Sequence, residues 1–190
     1  MKPIRLKWCA LMLVFTLAAA GLCGCRFQSV SNQIKDLYLT YLDSVVSPSK
    51  APDYENFRRI YPLKVWETIR DDSSGGSEND MKTAVTERIA VEWDQYIEKV
   101  GFDLSYTVNE VERTKVEGDE LQENLTFLTE TYGIESGEIK EIDQITVQFV
   151  MTGIDDTITV THRQKLMKID GKWYFCPVKG SEDPFHLFNN

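Results

Sequence analysis

The chain carries two histidines, His162 and His186. Only His162 stands in a patterned stretch. Ile158, Val160, His162, Gln164 and Leu166 alternate along the chain, so one face of a strand would carry all five. An imidazole and an amide on an inward face could line a pocket, and an imidazole can act as acid or base near neutral pH. A hydrogen-bonded core histidine explains the same pattern more simply. His186 lies in Pro184-Phe185-His186-Leu187-Phe188 with no partner nearby in sequence. Two histidines without a second nearby ligand argue against zinc. A calcium loop begun at Asp71 places Gly76 at its sixth position but Lys82 at its twelfth, where a bidentate glutamate is needed. Asp155-Asp156 reads as a turn between strands. Neither a Gly-rich phosphate loop nor a Gly-x-Ser-x-Gly elbow is present. The sequence therefore assigns no catalytic residue, no metal site and no cofactor. Trp66, Trp93 and Tyr96 lie on helical stripes and are core residues first. Trp66, Trp93 and Tyr106 become pocket walls, together with His162 and Gln164, where the fold leaves a cavity.

The other reactive group is a thiol near the start. Lys2, Arg5 and Lys7 make a basic opening without an acid, and Trp8–Ala20 follows as 13 uncharged residues. A membrane span needs roughly 20 apolar residues, and the apolar part of a secretion signal about 7–15. Leu22-Cys23-Gly24-Cys25 then resembles a lipobox, the cleavage motif of bacterial lipoproteins. That resemblance implies a signal peptide over 1–24, acyl chains on Cys25, a short tether over 25–30 and a place on the extracytoplasmic face of the cell membrane. Each methylene buried in the bilayer contributes about 0.8 kcal/mol, so two or more chains anchor stably. The tether spans at most about 18 Å, which holds the following domain close to the bilayer. Arg26 follows the cysteine, so no aspartate there speaks for retention in an inner membrane. After cleavage Cys176 is left as the one free thiol, with no internal disulfide to make. Its apolar surroundings, Trp173 to Val178, suit a packed side chain.

Acids outnumber bases 30 to 21, and three of the bases belong to the leader. Such a surface repels phosphate backbones, which argues against nucleic-acid binding. The remaining length suits one domain, over 31–180, with a loose tail over 181–190.

The periodicities supply the elements that would position these groups. Ile34, Leu37, Tyr38, Tyr41, Leu42 and Val45 form one stripe on a helix of about 31–46. Asp53 caps a short helix with Tyr54, Phe57 and Ile60. Pro62 opens another with Leu63, Trp66 and Ile69. Met81, Val85, Ile89, Trp93, Tyr96, Ile97 and Val100 predict a helix over about 78–100, ended by Gly101. A strand follows from Phe102, bulged near Asn109 and reaching Val116. Asp119 with Gln122 suggests a capping box for a helix closed by Gly133. Strands then centre on Ile145–Met151 and Ile158–Leu166, and Asp170-Gly171 turns the chain into a last strand over Trp173–Val178. Helices gathered on one face of an antiparallel sheet make an α+β domain.

This order, with the closing hairpin Lys168-Ile169-Asp170-Gly171-Lys172-Trp173-Tyr174-Phe175 and the helix Asp119–Gly133 running into a Val/Ile-rich strand, is similar to small lipoproteins of the NTF2-like, cystatin-like-fold group. The resemblance implies N-terminal helices packed on a curved antiparallel sheet, with a pocket between them. Some members are isomerases or dehydratases using Asp or His there, and many bind ligands or partners without catalysis. The resulting expectation is a membrane-anchored, non-catalytic module that binds a small apolar ligand, a peptide or an envelope protein. One alternative is an NTF2-like enzyme using His162. Another is a structural envelope protein that forms a homodimer through its sheet.

Overall fold

The first apolar stripe folds as expected into α1, Val30–Val45. Ile34, Tyr38, Tyr41 and Leu42 on one side of it are fully buried. The structure, a computed structural model, describes residues 29–45, 53–73, 76–177, 179 and 180. The leader, Cys25, most of the tether, His186 and the tail over 181–190 lie outside the described residues. The chain divides into two units, Met1–Val30 and Ser31–Asn190. All that follows concerns the second, together with the first residue of α1.

Asp53 caps α2, Tyr54–Arg58, its carboxylate accepting from the backbone N–H groups of Glu55 and Asn56, both at 3.1 Å. Pro62 leads into α3, Leu63–Ser73, which buries Val65, Trp66 and Ile69. Ser77 caps α4, Glu78–Val100, and Gly101 ends it at φ 81°. The sheet follows in chain order, β1-β2-β3-β4, all antiparallel, curled into a half-barrel. Its strands are β1 Ser105–Lys115, β2 Ile139–Thr152, β3 Thr157–Ile169 and β4 Lys172–Phe175. Helix α5, Gly118–Tyr132, interrupts the sheet between β1 and β2. The register of β1 shifts between Val108 and Glu110, which puts the bulge at Asn109 as the parity break required.

Three local expectations change. The α5 N-cap is Glu117, without a side-chain cap bond, so Asp119 and Gln122 form no capping box. Gly118 at φ 61° lets the chain turn into the helix one residue earlier. The first strand starts at Ser105, because Phe102 and Asp103 belong to the bend after α4. The last strand stops at Phe175. The Cys176 N–H still closes on the Lys165 carbonyl at 2.9 Å, while the Phe175 N–H, on the outer edge of β4, goes to the Ile60 carbonyl at 2.8 Å.

Register fixes which residues share a face. Tyr106, Met151 and Ile158 lie in one row, Val108, Phe149 and Val160 in the next, then Val147 with His162, Ile145 with Gln164, and Asp143, Leu166 and Phe175. The N-terminal helices cover this face. Ile142 and Met167 belong to the opposite face and are also buried. There Lys165 reaches Glu120 (2.8 Å) and Asn124 (3.4 Å) of α5. The sheet is thus covered on both sides at its β4 end, whereas Thr157, Thr159, Thr161 and Arg163 leave the far side of β3 in water.

Candidate functional site

His162 faces the helices, as its parity demands, and is 6 % exposed. Its Nδ1 lies 3.2 Å from the Tyr38 hydroxyl. The Tyr41 ring stacks on it at 6.4 Å and 15°, and Phe175 packs at 6.4 Å. Burial holds the Tyr38 phenol far above its ordinary range, so that hydroxyl keeps its proton. Tyr41 in turn donates to the Glu92 carboxylate at 3.1 Å, and Arg88 stands 3.5 Å from the other carboxylate oxygen. Burial first, then the Glu92 charge, raise the Tyr41 phenol as well.

Glu92 was not among the residues singled out from sequence. It occupies the place given to Trp93 on the α4 stripe, because positions 89, 92 and 96 fit helical spacing as well as 89, 93 and 96. Glu92 is 4 % exposed, and Trp93 is half-buried with its Nε1 lacking a hydrogen-bond partner among the described residues. A buried carboxylate persists only where it is paired or hydrogen-bonded, and Tyr41 and Arg88 meet that need.

The other expected pocket residues are dispersed. Gln164 is buried, and its Nε2 donates to the Cys176 carbonyl at 2.8 Å. Trp66 is buried among Tyr54 and Phe57, beside a surface hollow of about 230 Å3 with Arg58, Arg59 and Leu63. The Tyr106 hydroxyl bonds the Asp43 carboxylate of α1.

A second polar group lies further along the inner face. Arg113 pairs with Asp143, which is wholly buried, and with Glu141. The Arg113 guanidinium lies 5.6 Å from the centre of the Trp173 ring, and the Lys168 ammonium 5.3 Å. Asp143 Oδ1 and Trp173 Nε1 are buried and find no hydrogen-bond partner among the described residues. The signal for Asp143 was legible only in hindsight. Its parity with Ile145 and Val147 marks it as inward, within a stretch of mixed charge.

A groove of about 440 Å3 opens where β4 stops. Arg163, Gln164 and Lys165 of β3, Glu120 and Glu123 of α5, and Cys176, Pro177 and Lys179 line much of it. Burial pushes the Cys176 thiol up to about 12, so it enters the groove's chemistry as an apolar surface and not as a nucleophile. No group of acids, histidines or cysteines able to hold a metal occurs among the described residues, and no described helix is long and apolar enough to cross a membrane. The chain matches no family model, no curated protein and no solved structure.

Proposed function

We propose that the chain is a lipid-anchored, extracytoplasmic binding module of NTF2-like type. It acts without catalysis and receives a polar protein segment along the groove at the end of β4. The observation that carries this reading is the lining of that groove. Charged and amide side chains stand there on rigid elements, β3 and α5, with Cys176 and Pro177 as an apolar floor. Of the expected ligands, a small apolar molecule, a peptide or an envelope protein, such a mixture suits an extended peptide best. The inner-face histidine supports the same view. Tyr38, Tyr41 and Phe175 occupy its surroundings, and the catalytic alternative needs a substrate to meet that ring.

The address and the binding are tested separately. Cys25→Ser in the full chain is expected to abolish labelling by radioactive palmitate and to move the protein from the membrane fraction to the medium or periplasm. Retention of the label would sink the anchoring reading. A photo-reactive residue placed at Arg163 in cells is expected to capture a protein partner. Absence of any adduct, with the chain folded and exported, would overturn the binding reading.

A further inference from the structure

Helix α1 has a direction on the sheet. Asp43, near its end, accepts from the hydroxyl of Tyr106, which lies in the row of Met151 and Ile158. Tyr38, earlier in the helix, packs on Phe175, in the row of Asp143 and Leu166. The first turn of α1 therefore points to the end of the sheet where Asp170-Gly171 joins β3 to β4. From Tyr38 back to Val30 the helix rises about 12 Å, and from Leu166 on to Asp170 the strand runs about 13 Å. Helix start and hairpin thus lie at about the same level along the sheet, and the tether leads into that helix start.

Charge is divided along the same axis. At the far end Asp155 and Asp156 of the turn after β2, and Asp103 of the bend it rests on, are exposed acids. At the hairpin end Lys140, Lys168 and Lys172 stand outside any ion pair among the described residues. Lys168 lies 5.3 Å from the centre of the Trp173 ring and Lys172 4.8 Å from that of Tyr174. A ring face orients an ammonium without cancelling its charge. Lys140 donates to the Gly137 carbonyl at 2.9 Å, which leaves its charge intact as well. Arg113 and Lys115 take up Glu141, Asp143 and Glu117, and Lys64 takes up Glu138. Of the acids in the hairpin and in the segment leading into β2, Asp170 and Glu135 remain without a cation. On a chain where acids outnumber bases 30 to 21, this end carries the opposite sign.

We infer that the hairpin end rests on an anionic phospholipid surface, where Lys140, Lys168 and Lys172 engage headgroup phosphates. The inference depends on the anchoring proposed above and names the end of the domain that the bilayer meets. The tether selects this partner. An acyl chain on Cys25 stands no farther than about 18 Å from the start of α1. Attraction to a charged surface falls off within about 8 Å at physiological salt, so only the end that the tether draws down responds to it. A soluble anion reaches any face of the domain, whereas the bilayer is the anionic surface brought to this one. The acids of the far end are repelled by the same surface, which turns the domain the same way.

The test uses the full, acylated wild-type chain, purified and placed in vesicles of phosphatidylglycerol with phosphatidylcholine, in vesicles of phosphatidylcholine alone, and in detergent. Flotation first reports attachment. Reductive methylation, read lysine by lysine by mass spectrometry, then reports shielding. Lys140, Lys168 and Lys172 are expected to react about fivefold more slowly in the anionic vesicles than in detergent, while the exposed Lys99 is unchanged. Molar salt should remove the difference. Equal shielding in both kinds of vesicle would mean that the tether alone holds this end down, and would overturn the headgroup contact. Shielding of Lys99 to the same degree would overturn the orientation, and no shielding at all would overturn both. The same protection by inorganic phosphate in detergent would assign the lysines to a free anion and reject the bilayer. A chain that floats with neither kind of vesicle fails the anchoring reading, and this inference falls with it. A chain that floats but is not shielded fails the inference alone. Lys168→Gln with Lys172→Gln should still float, with the reactivity of Lys140 in anionic vesicles restored to its level in phosphatidylcholine.

Discussion

At the scale of single residues, the inner core is held by polar groups that have found partners. Tyr38→Phe removes the hydroxyl 3.2 Å from His162 Nδ1 and is expected to cost about 1–3 kcal/mol, read as a lowered urea midpoint. Arg113→Ala leaves Asp143 with its burial and without its cation. Breaking a fully buried pair costs about 3–5 kcal/mol, but about a third of Arg113 meets water, so a loss on the order of 2 kcal/mol is expected. Burial raises the Asp143 carboxyl above its ordinary value, although Arg113 pulls it down. A raised carboxyl binds its proton more tightly in the folded chain than in the unfolded one. Its stabilising contribution is therefore complete below the ordinary aspartate range and lost as pH rises through the raised value. Urea midpoints of wild type and Asp143→Asn, compared from about pH 3 to about pH 7, should show wild type losing ground as pH rises. A difference that moves the other way would mean that the ion pair outweighs desolvation. His162 and Gln164 were legible as inward residues because strand parity has only two values. Glu92 was not, because helical spacing tolerates either of two neighbours and hydropathy chooses the tryptophan.

At the scale of elements, caps and turns were the clearest signals. Asp53, Gly101 and Asp170-Gly171 each demand a particular backbone, and each sits where that backbone occurs. Asp170 and Gly171 both have positive φ, 49° and 80°, as a two-residue hairpin of this hand requires. Asp53→Ala is expected to cost about 1 kcal/mol through the loss of its two cap bonds. What the sequence concealed were tertiary choices. The outer edge of β4 is met by Ile60, more than a hundred residues earlier, whose carbonyl accepts the Phe175 N–H. The turn after β2 depends on α4. A Cβ on Gly153 would lie 2.2 Å from the Val100 carbonyl. Gly153→Ala should therefore lift that turn off the end of α4 and lower the thermal midpoint, at a cost of about 1–3 kcal/mol.

At the scale of the whole molecule, helices on the inner face and α5 on the outer one make the α+β architecture that the order of patterns implied. The periodicities reveal which faces are apolar. They do not reveal that α5 crosses to the other side of the sheet, since its stripe would pack equally well on either. One feature of this architecture bears on how the chain is made. Tyr38 and Tyr41, near the beginning, complete their packing only against His162 and Phe175, near the end. Contacts so distant in sequence form late, after the loop between them has closed. A chain leaving the ribosome therefore has no finished inner core until its last strand has emerged. A version stopped at Ile169 should show no cooperative thermal transition and little near-ultraviolet dichroism. For a polypeptide threaded across a membrane before it folds, that delay is a safeguard. On the proposed reading as an exported chain, the aromatic face of the first helix would stay incomplete while a translocation channel still held the last strand.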